Sequence, residues 1–158
     1  MLKFSIVTVC YNSEKYIRTA IDSVLNQTYN DIEYIIIDGA SSDNTVDIIK
    51  SYGDKISRFI SEKDSGIYDA MNKGISLASG DVIGIINSDD FYVHDRVIEN
   101  ISKQITIARS DSIYADIIYV DSAHPEKQVR YWSSKHFVKR SFSKGWHPPH
   151  PTFFVKKE

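Results

Sequence analysis

The stretch "DVIGIINSDDFY", residues 81–92, places two adjacent aspartates shortly after a run of apolar residues. The run 82–86 predicts a short strand that is buried on both faces, and Asp89 and Asp90 follow where that strand should reach the surface. Adjacent like charges beside a low-dielectric strand end repel each other. A divalent cation would relieve the repulsion, because hard cations prefer carboxylate oxygens. A solvated turn is the alternative interpretation of the same pair.

The chain around this stretch alternates between two hydrophobic periodicities. Short apolar runs predict strands at residues 4–9, 32–37, 56–60 and 82–86. Apolar residues at three- and four-residue spacing predict helices over residues 16–25, 46–49, 67–78 and 97–101. This alternation predicts an α/β domain with a largely parallel sheet and helices on both faces. Later in the chain, residues 113–120 and 128–132 predict two strands, for which antiparallel pairing is one option, and residues 148–151 predict a proline-rich loop.

Composition limits the class of protein. The 158 residues are 42% hydrophobic and 25% charged, which is typical of one packed domain. The net charge of −2 argues against a general nucleic-acid binder, although the segment from residue 126 onward is basic. The single cysteine, Cys10, excludes an internal disulfide framework and a cysteine-rich zinc site, and we expect it to be a buried apolar residue. With no signal-peptide pattern and no membrane-length apolar run, we expect a cytoplasmic location.

Polar residues collect where the predicted strands end. In an open α/β sheet, ligands bind outside the carboxyl ends of the strands. These ends carry Tyr11-Asn12, Asp38, Glu62-Lys63-Asp64 and Asn87-Ser88-Asp89-Asp90. We expect all four to face one crevice, and we assign Ser41-Ser42-Asp43 to helix capping. Because the chain has neither a P-loop nor a Gly-x-Gly-x-x-Gly motif, bound phosphates would need a metal for neutralisation. A Gly-x-Ser-x-Gly motif of serine hydrolases is also missing.

Two long segments carry a family resemblance. "SIVTVCYNSEKYIRTAIDSVLNQTYNDIEYIIIDGASSDNT" and "SEKDSGIYDAMNKGISLASGDVIGIINSDDFY" closely resemble the family 2 glycosyltransferases of bacterial polysaccharide and lipopolysaccharide biosynthesis, and "HPPHPTFFVKKE" resembles a later segment of such proteins. The resemblance implies a GT-A fold, a Rossmann-like sandwich, as one domain over 1–158. Residues 1–92 would be its nucleotide-sugar-binding half, and 93–158 would be a partial acceptor-side half. It also implies an inverting transfer of sugar from a nucleotide-diphosphate donor to a glycan or lipid-linked acceptor.

The resemblance implies roles for individual residues. Val9 and Tyr11 match the positions that hold the base and ribose, and Asp38 falls in the motif that contacts the nucleobase. Many members have a second acid at the position of Gly39, so this chain would contact the base differently. The segment containing Asp64 and Asp69 resembles the stretch that closes over the donor.

The metal site is implied in the same way. The run from Asn87 to Asp90 matches the DxD-type motif, with Asn87 in place of the first acid. Asp89 would approach the ribose and is a further candidate for the metal, and Asp90 would bind Mn²⁺ or Mg²⁺ through the diphosphate. His150 is a further candidate ligand, with a local hydrogen bond in the loop as the alternative. The metal would stabilise the charge that develops on the leaving nucleoside diphosphate.

The catalytic base and the acceptor side are less well defined. Inversion requires a base opposite the leaving group, and the resemblance places it downstream of Glu158, so we expect that the chain is truncated. Asp116, Asp121 and Glu126 are acids within the chain that match no such motif. The two tryptophans, Trp132 and Trp146, would be buried or would stack on an acceptor sugar. The basic residues that would contact an anionic membrane, unless they form a solvated face, are Lys135, Lys139, Arg140 and Lys144.

Two other functions fit parts of the sequence. A binding module that retains nucleotide-sugar affinity without catalysis would follow if the base lies outside residues 1–158. A sugar-nucleotide-forming nucleotidyltransferase would share the substrates. That class requires a glycine-rich basic loop near the amino end, whereas residues 11–14 contain an acid and no glycine.

Overall fold

The computed structural model describes residues 1–134, 138 and 140–157. Its strands are β1 (Phe4–Cys10), β2 (Ile32–Asp38), β3 (Arg58–Ser61), β4 (Val82–Asn87), β5 (Ser112–Ile113), β6 (Ile117–Val120), β7 (Gln128–Trp132) and β8 (Phe154–Lys156). Its α-helices are α1 (Ile17–Leu25), α2 (Thr45–Lys50), α3 (Ile67–Leu77) and α4 (Val97–Ala108). Single 3-10 turns lie at Gly53–Lys55, Phe142–Lys144 and His150–Thr152.

Six strands form the central sheet in the order β3-β2-β1-β4-β8-β5. The first four are parallel, and β8 runs antiparallel to both β4 and β5. The strands β6 and β7 form a separate antiparallel pair. The predicted α/β fold with a largely parallel sheet is therefore confirmed, as is the antiparallel pairing of the two later strands.

Helices cover both faces of this sheet. Residues of α1, α2 and α4 pack on one face, where their buried isoleucines meet Phe4, Tyr34 and Phe154. On the other face, α3 places Ala70 against a cluster that includes Val7. The central strands are buried along almost their whole length, because helices on both sides exclude water from a parallel sheet.

Several predicted boundaries differ from the structure. The third strand was expected over 56–60 but spans Arg58–Ser61, because the amide of Tyr34 donates to Ser57 Oγ at 3.0 Å instead of joining the ladder there. The single strand expected over 113–120 is wrong, because it is divided into β5 and β6. The intervening Ala115 carbonyl accepts hydrogen bonds from the hydroxyls of Ser134 and Thr152, both at 2.8 Å.

Strand β8 has no counterpart among the predicted strands. It is three residues long, and it is stabilised by pairing with β4 and β5, which lie far away in sequence. Because β5 and β8 belong to the central sheet, the second half of the chain completes the layer that the first half begins. The functional division at residue 92 stays a prediction.

The N-cap of α2 is Asn44, whose side chain makes no capping hydrogen bond, while Ser41 bonds to Asp38 and the Ser42 amide to Asn12. Of the three residues predicted to cap α2, Asp43 is the one that bonds to its first amide. Its Oδ1 accepts a hydrogen bond from the amide of Thr45, the first residue of α2, at 3.0 Å. Its Oδ2 accepts another from the amide of Glu14 at 3.1 Å, so the same side chain also fixes the loop after β1. None of the helices in the described part of the chain combines the length and the apolar character that a membrane span requires.

Candidate active-site cleft

A cleft with a volume of about 760 Å³ opens at the carboxyl ends of β1 and β4. Strand β1 pairs with β2 on one side and with β4 on the other, so the strand order reverses here. Such a switch point is where open α/β sheets bind ligands. Val9 and Asn87 lie opposite each other in the β1–β4 register, and both line the cleft. Other lining residues are Cys10, Tyr11, Ser13, Gly39, Ala40, Lys63, Asp64, Gly66, Ile67, Ala70, Ser88 and Asp89.

Asp38, at the end of β2, lies beneath the cleft and is fully buried. Its Oδ2 accepts hydrogen bonds from the Ser41 amide at 3.0 Å and from Ser61 Oγ at 2.6 Å, and the Ser41 hydroxyl donates to Oδ1. These contacts fix the turn after β2 to the end of β3. Burial and the nearby Asp38 carboxylate raise the pKa of the Cys10 thiol, which keeps this cysteine neutral. A contact between Asp38 and a nucleobase stays a prediction.

The carboxylate of Asp64 lies over Gly39 at the cleft wall. A Cβ atom on Gly39 would lie only 2.7 Å from Asp64 Oδ2 and 3.4 Å from Tyr11 Cδ2. Asp64 Oδ1 accepts a hydrogen bond from the Gly66 amide at 2.8 Å, which directs Oδ2 towards Gly39. The Tyr11 ring beside it is 65% exposed, so an aromatic face is open to a ligand. The glycine therefore makes room for an acid that comes from another strand end.

The two aspartates after β4 differ in their environment. Asp89 is exposed and lines the cleft, whereas Asp90 is half-buried behind it. Burial and the charge of Asp89 raise the pKa of Asp90, while His150 and hydrogen bonding to Asn87 act in the opposite direction. The two adjacent acids at this strand end therefore lie in different surroundings, and the less accessible Asp90 is the one whose pKa is raised.

Asn87 connects this corner to the proline-rich segment. Its Nδ2 donates a hydrogen bond to His150 Nε2 at 2.9 Å. Its Oδ1 is buried and has no hydrogen-bond partner among the residues that the structure describes. A buried acceptor without a donor is costly, and a bound cation or ligand would compensate for it.

This corner offers oxygen ligands that suit Mg²⁺ or Mn²⁺. Asp90, Asp89 and the Asn87 Oδ1 are hard oxygen donors. No cluster of three or more acidic, histidine or cysteine side chains that could enclose a metal occurs within the described ranges. The site therefore fits a cation that takes few protein ligands and completes its coordination with water and substrate oxygens, as Mg²⁺ does. His150 lies close enough to this corner to act on Asp90, and its role as a ligand stays a prediction.

Comparison with known proteins identifies the family. The family model described as "Glycosyl transferase family 2" matches residues 5–156, nearly the whole chain. The chain belongs to glycosyl transferase family 2. Among curated relatives, it is 40% identical over 93 residues to the putative glycosyltransferase EpsH of Bacillus subtilis, a match that covers 58% of this chain and 27% of EpsH. The chain spans well under half the length of the curated relatives it matches.

Solved structures agree on the fold. S. aureus TarS 1–349 in complex with UDP superposes with a TM-score of 0.71 at 22% identity, over 98% of this chain and 47% of that one. The mannosyltransferase PcManGT from Pyrobaculum calidifontis, in complex with GDP-Man and Mn²⁺, has a TM-score of 0.66 at 18% identity, over 72% of this chain and 35% of that one. The predicted GT-A fold of this family 2 chain is confirmed.

Asp69 is not among the described residues that line the cleft. It borders a second depression, on the outer side of α3, together with Glu62 and Lys73. Its Oδ2 accepts a hydrogen bond from the Ser65 amide at 3.0 Å and forms an ion pair with Lys73 at 3.4 Å. It thus supports the loop that borders the cleft, and a direct contact between Asp69 and the donor stays a prediction.

Sequence analysis placed Lys63 and Ser88 at strand ends that face one crevice but assigned a role to neither, and it did not place Ser13 in the cleft. Lys63 provides the one basic side chain among the described residues that line it. Ser13 and Ser88 join the loops after β1 and β4 through a hydrogen bond of 2.8 Å between their hydroxyls. The position of Lys63 near the end of a predicted strand is the signal that placed it at the cleft, whereas the hydrogen bond between the two serines depends on the three-dimensional approach of two loops.

The acids considered as catalytic bases lie in and around the β6–β7 hairpin. Asp116 accepts hydrogen bonds from the Ser134 amide at 2.7 Å and from the Tyr131 hydroxyl. Asp121 accepts from the backbone amides of the following turn, and Glu126 lies 3.5 Å from His124. Of the residues that the structure describes, none of these three acids lines the cleft.

The acceptor-side aromatic and basic residues have mixed outcomes. Trp132 and Trp146 are both half-buried, Trp132 edge-on to His147 and Trp146 edge-on to Tyr114. Arg140 and Lys144 are exposed, which leaves the predicted membrane contact untested, and Lys135 and Lys139 lie outside the described residues.

Proposed function

We propose that this chain is the donor-binding part of an inverting, metal-dependent glycosyltransferase. It would transfer a sugar from a nucleotide-diphosphate donor to a hydroxyl of a glycan or lipid-linked acceptor in surface polysaccharide synthesis. The observation that carries the proposal is the corner formed by Asn87, Asp89 and Asp90 at the switch point of the sheet. It places acidic oxygens, together with a buried acceptor that has no partner among the described residues, at a cleft large enough for a nucleotide.

The nucleoside would lie between β1 and β2. The exposed Tyr11 ring offers a stacking surface for a base. Asp64 Oδ2, held over Gly39, would accept a hydrogen bond from an N–H of the base, in place of the second acid that many members carry after β2. Asp89 would accept hydrogen bonds from the ribose hydroxyls, and Val9 would pack against the nucleoside.

The diphosphate would lie at the β4 end of the cleft. Asp90 would hold a divalent cation, with Asp89 and the Asn87 Oδ1 as further oxygen ligands. When bound, this cation would supply Lewis-acid stabilisation of the leaving diphosphate. The PcManGT complex contains GDP-Man and Mn²⁺, and one TarS complex contains UDP. Both uridine and guanosine nucleotides are therefore worth testing as ligands of this chain.

Calorimetric titration with UDP and GDP, each with and without Mn²⁺, tests the binding role. We expect one nucleotide to bind in a Mn²⁺-dependent manner, and Asp90→Ala to weaken that binding by about a hundredfold, a typical cost of removing one partner of a buried charge interaction. Asp54→Ala is the matched control, because Asp54 is exposed on the 3-10 turn after α2. Equal affinity in the Asp90→Ala variant and the unmodified chain would contradict the proposed site.

A nucleotide-sugar-binding module without catalysis is the second candidate. It is favoured by the placement of Asp116, Asp121 and Glu126 outside the cleft, because an inverting transferase needs a base beside the acceptor hydroxyl. An assay that follows the transfer of a radioactive sugar from UDP- or GDP-linked donors distinguishes the transferase from the binding module. Steady glycosyl transfer by residues 1–158 would identify an enzyme with its own base, and nucleotide binding without turnover would support the module.

A further inference from the structure

We propose that Lys73 is a positioning residue, which holds the 62–66 loop so that Lys63 and Asp64 face the donor-binding cleft. Lys73 lies on the outer side of α3, away from the cleft itself. The inference rests on the proposed function for the identity of the ligand, a nucleoside diphosphate. The geometric part, a loop held from behind by one ammonium group, is independent of that ligand.

Three contacts converge on the Lys73 ammonium group. Its Nζ lies 2.9 Å from Glu62 Oε1, 3.4 Å from Asp69 Oδ2 and 3.2 Å from the carbonyl oxygen of Lys63. An ammonium group has three donors, so one side chain can serve all three acceptors. The Lys73 side chain is only 26% exposed, which limits the competition from water.

The loop is therefore fixed at successive residues. Glu62 is held by its side chain, Lys63 by its carbonyl group, and Ser65 by its amide, which donates to the Asp69 carboxylate at 3.0 Å. Gly66 is held by its amide, which donates to Asp64 at 2.8 Å. Hydrogen bonding from Lys73 to Glu62 and the charge of Asp69 raise the pKa of Lys73, in agreement with an ammonium group held between two acids.

The loop carries the side chains that a donor would meet. Lys63 and Asp64 both line the cleft, and they offer one cation and one carboxylate next to each other. A nucleoside diphosphate has anionic oxygens and N–H groups that complement this pair. Both side chains start from a backbone that Lys73 holds, so a loop without Lys73 would sample other positions and would bind the ligand more weakly.

The test compares Lys73→Met, Lys73→Arg and a control, Lys103→Met. Methionine removes the charge and keeps an unbranched stem, and arginine restores the charge. Lys103 belongs to a similar i,i+4 pair with Glu99, on α4 and away from the cleft. For each variant, calorimetry gives the dissociation constant for UDP or GDP with Mn²⁺, and hydrogen exchange gives the protection of the Ser65 and Gly66 amides. Urea unfolding reports overall stability.

We expect Lys73→Met to weaken nucleotide binding about tenfold and to speed exchange at Ser65 and Gly66 by a similar factor. Lys73→Arg should recover most of both effects. Lys103→Met should show neither effect, although it should shift the urea unfolding midpoint about as much as Lys73→Met does. Unchanged exchange at Ser65 and Gly66 in Lys73→Met would overturn the inference, as would an equal loss of affinity in Lys103→Met. If the unmodified chain binds neither nucleotide, the proposed function fails, while the exchange rates still decide whether Lys73 holds the loop.

Discussion

Gly39→Ala tests whether the Asp64 carboxylate must lie over Gly39 for the chain to bind a nucleotide. The new Cβ would lie 2.7 Å from Asp64 Oδ2, where ordinary contact begins at 3.4 Å, so the carboxylate must retreat by at least about 0.7 Å. Gly39 is not among the glycines with positive φ, so alanine fits the backbone conformation. Because the atom that must move ends a flexible side chain, we expect little change in the free energy of unfolding.

The expected effect falls on nucleotide binding. A hydrogen bond to a charged group contributes about 1.5–3 kcal/mol, so losing the contact to Asp64 Oδ2 should weaken binding roughly tenfold to a hundredfold. Calorimetric titration with the better of UDP and GDP in the presence of Mn²⁺ measures this change directly. Urea unfolding of the same variant checks that the fold is unchanged.

A double-mutant cycle with Asp64→Ala decides the cause. If Gly39→Ala acts only by displacing Asp64, it should have no further effect once Asp64 is alanine. A full additional loss in the Asp64→Ala background would refute the reasoning, and would point to the Tyr11 ring, which lies 3.4 Å from the same Cβ position. Unchanged affinity in Gly39→Ala alone would show that Asp64 Oδ2 does not contact the nucleotide.

Two further predictions concern stability. Gly84→Ala places a Cβ 2.4 Å from the ring of the fully buried Phe154, and we expect it to lower the free energy of unfolding by about 1–3 kcal/mol in urea titrations; an equal loss in a Phe154→Leu background would refute this cause. Burial tends to raise the pKa of Glu33, but hydrogen bonds from Ser5 and Ser79 and the charge of Lys3 lower it overall. The charged form therefore stabilises the fold at neutral pH, and this stabilisation disappears as pH falls below the ordinary value of 4.5. Glu33→Gln should lower the free energy of unfolding by about 2 kcal/mol at neutral pH, and this difference from the unmodified chain should become smaller in acid. A difference that is constant with pH would contradict a stabilising role of the Glu33 charge.

Local patterns were sufficient to predict the sheet and the corner of the cleft. The apolar run before Asn87 predicts a buried strand, and the rule for parallel strands then brings Val9 and Asn87 to the same edge. Each step uses residues that are close in sequence or a rule that holds for all open α/β sheets. The prediction of an acidic pair next to a low-dielectric strand end needed nothing more, and the raised pKa of Asp90 follows from that placement.

Contacts between distant residues could not be predicted in this way. Strand β8 is too short to be recognised, and the hydrogen bond between Asn87 and His150 joins residues 63 positions apart. The position of Asp64 over Gly39 depends on how closely the ends of two strands approach. The ion pair of Asp69 with Lys73 is different, because the i,i+4 spacing alone places both residues on one helix face and predicts it.

The charges of the cleft are a reason, independent of the family, to expect that nucleotide binding requires a metal. A nucleoside diphosphate would bring negative charge next to Asp64 and Asp89, with Asp90 close behind. Among the described lining residues, Lys63 is the one cation that can offset this charge. A single exposed ammonium group contributes little against several like charges, whereas a divalent cation held by Asp90 would attract both the protein carboxylates and the phosphates. Nucleotide binding should therefore depend on the metal far more than on Lys63, so that Lys63→Met in the presence of Mn²⁺ retains more affinity than the unmodified chain without Mn²⁺.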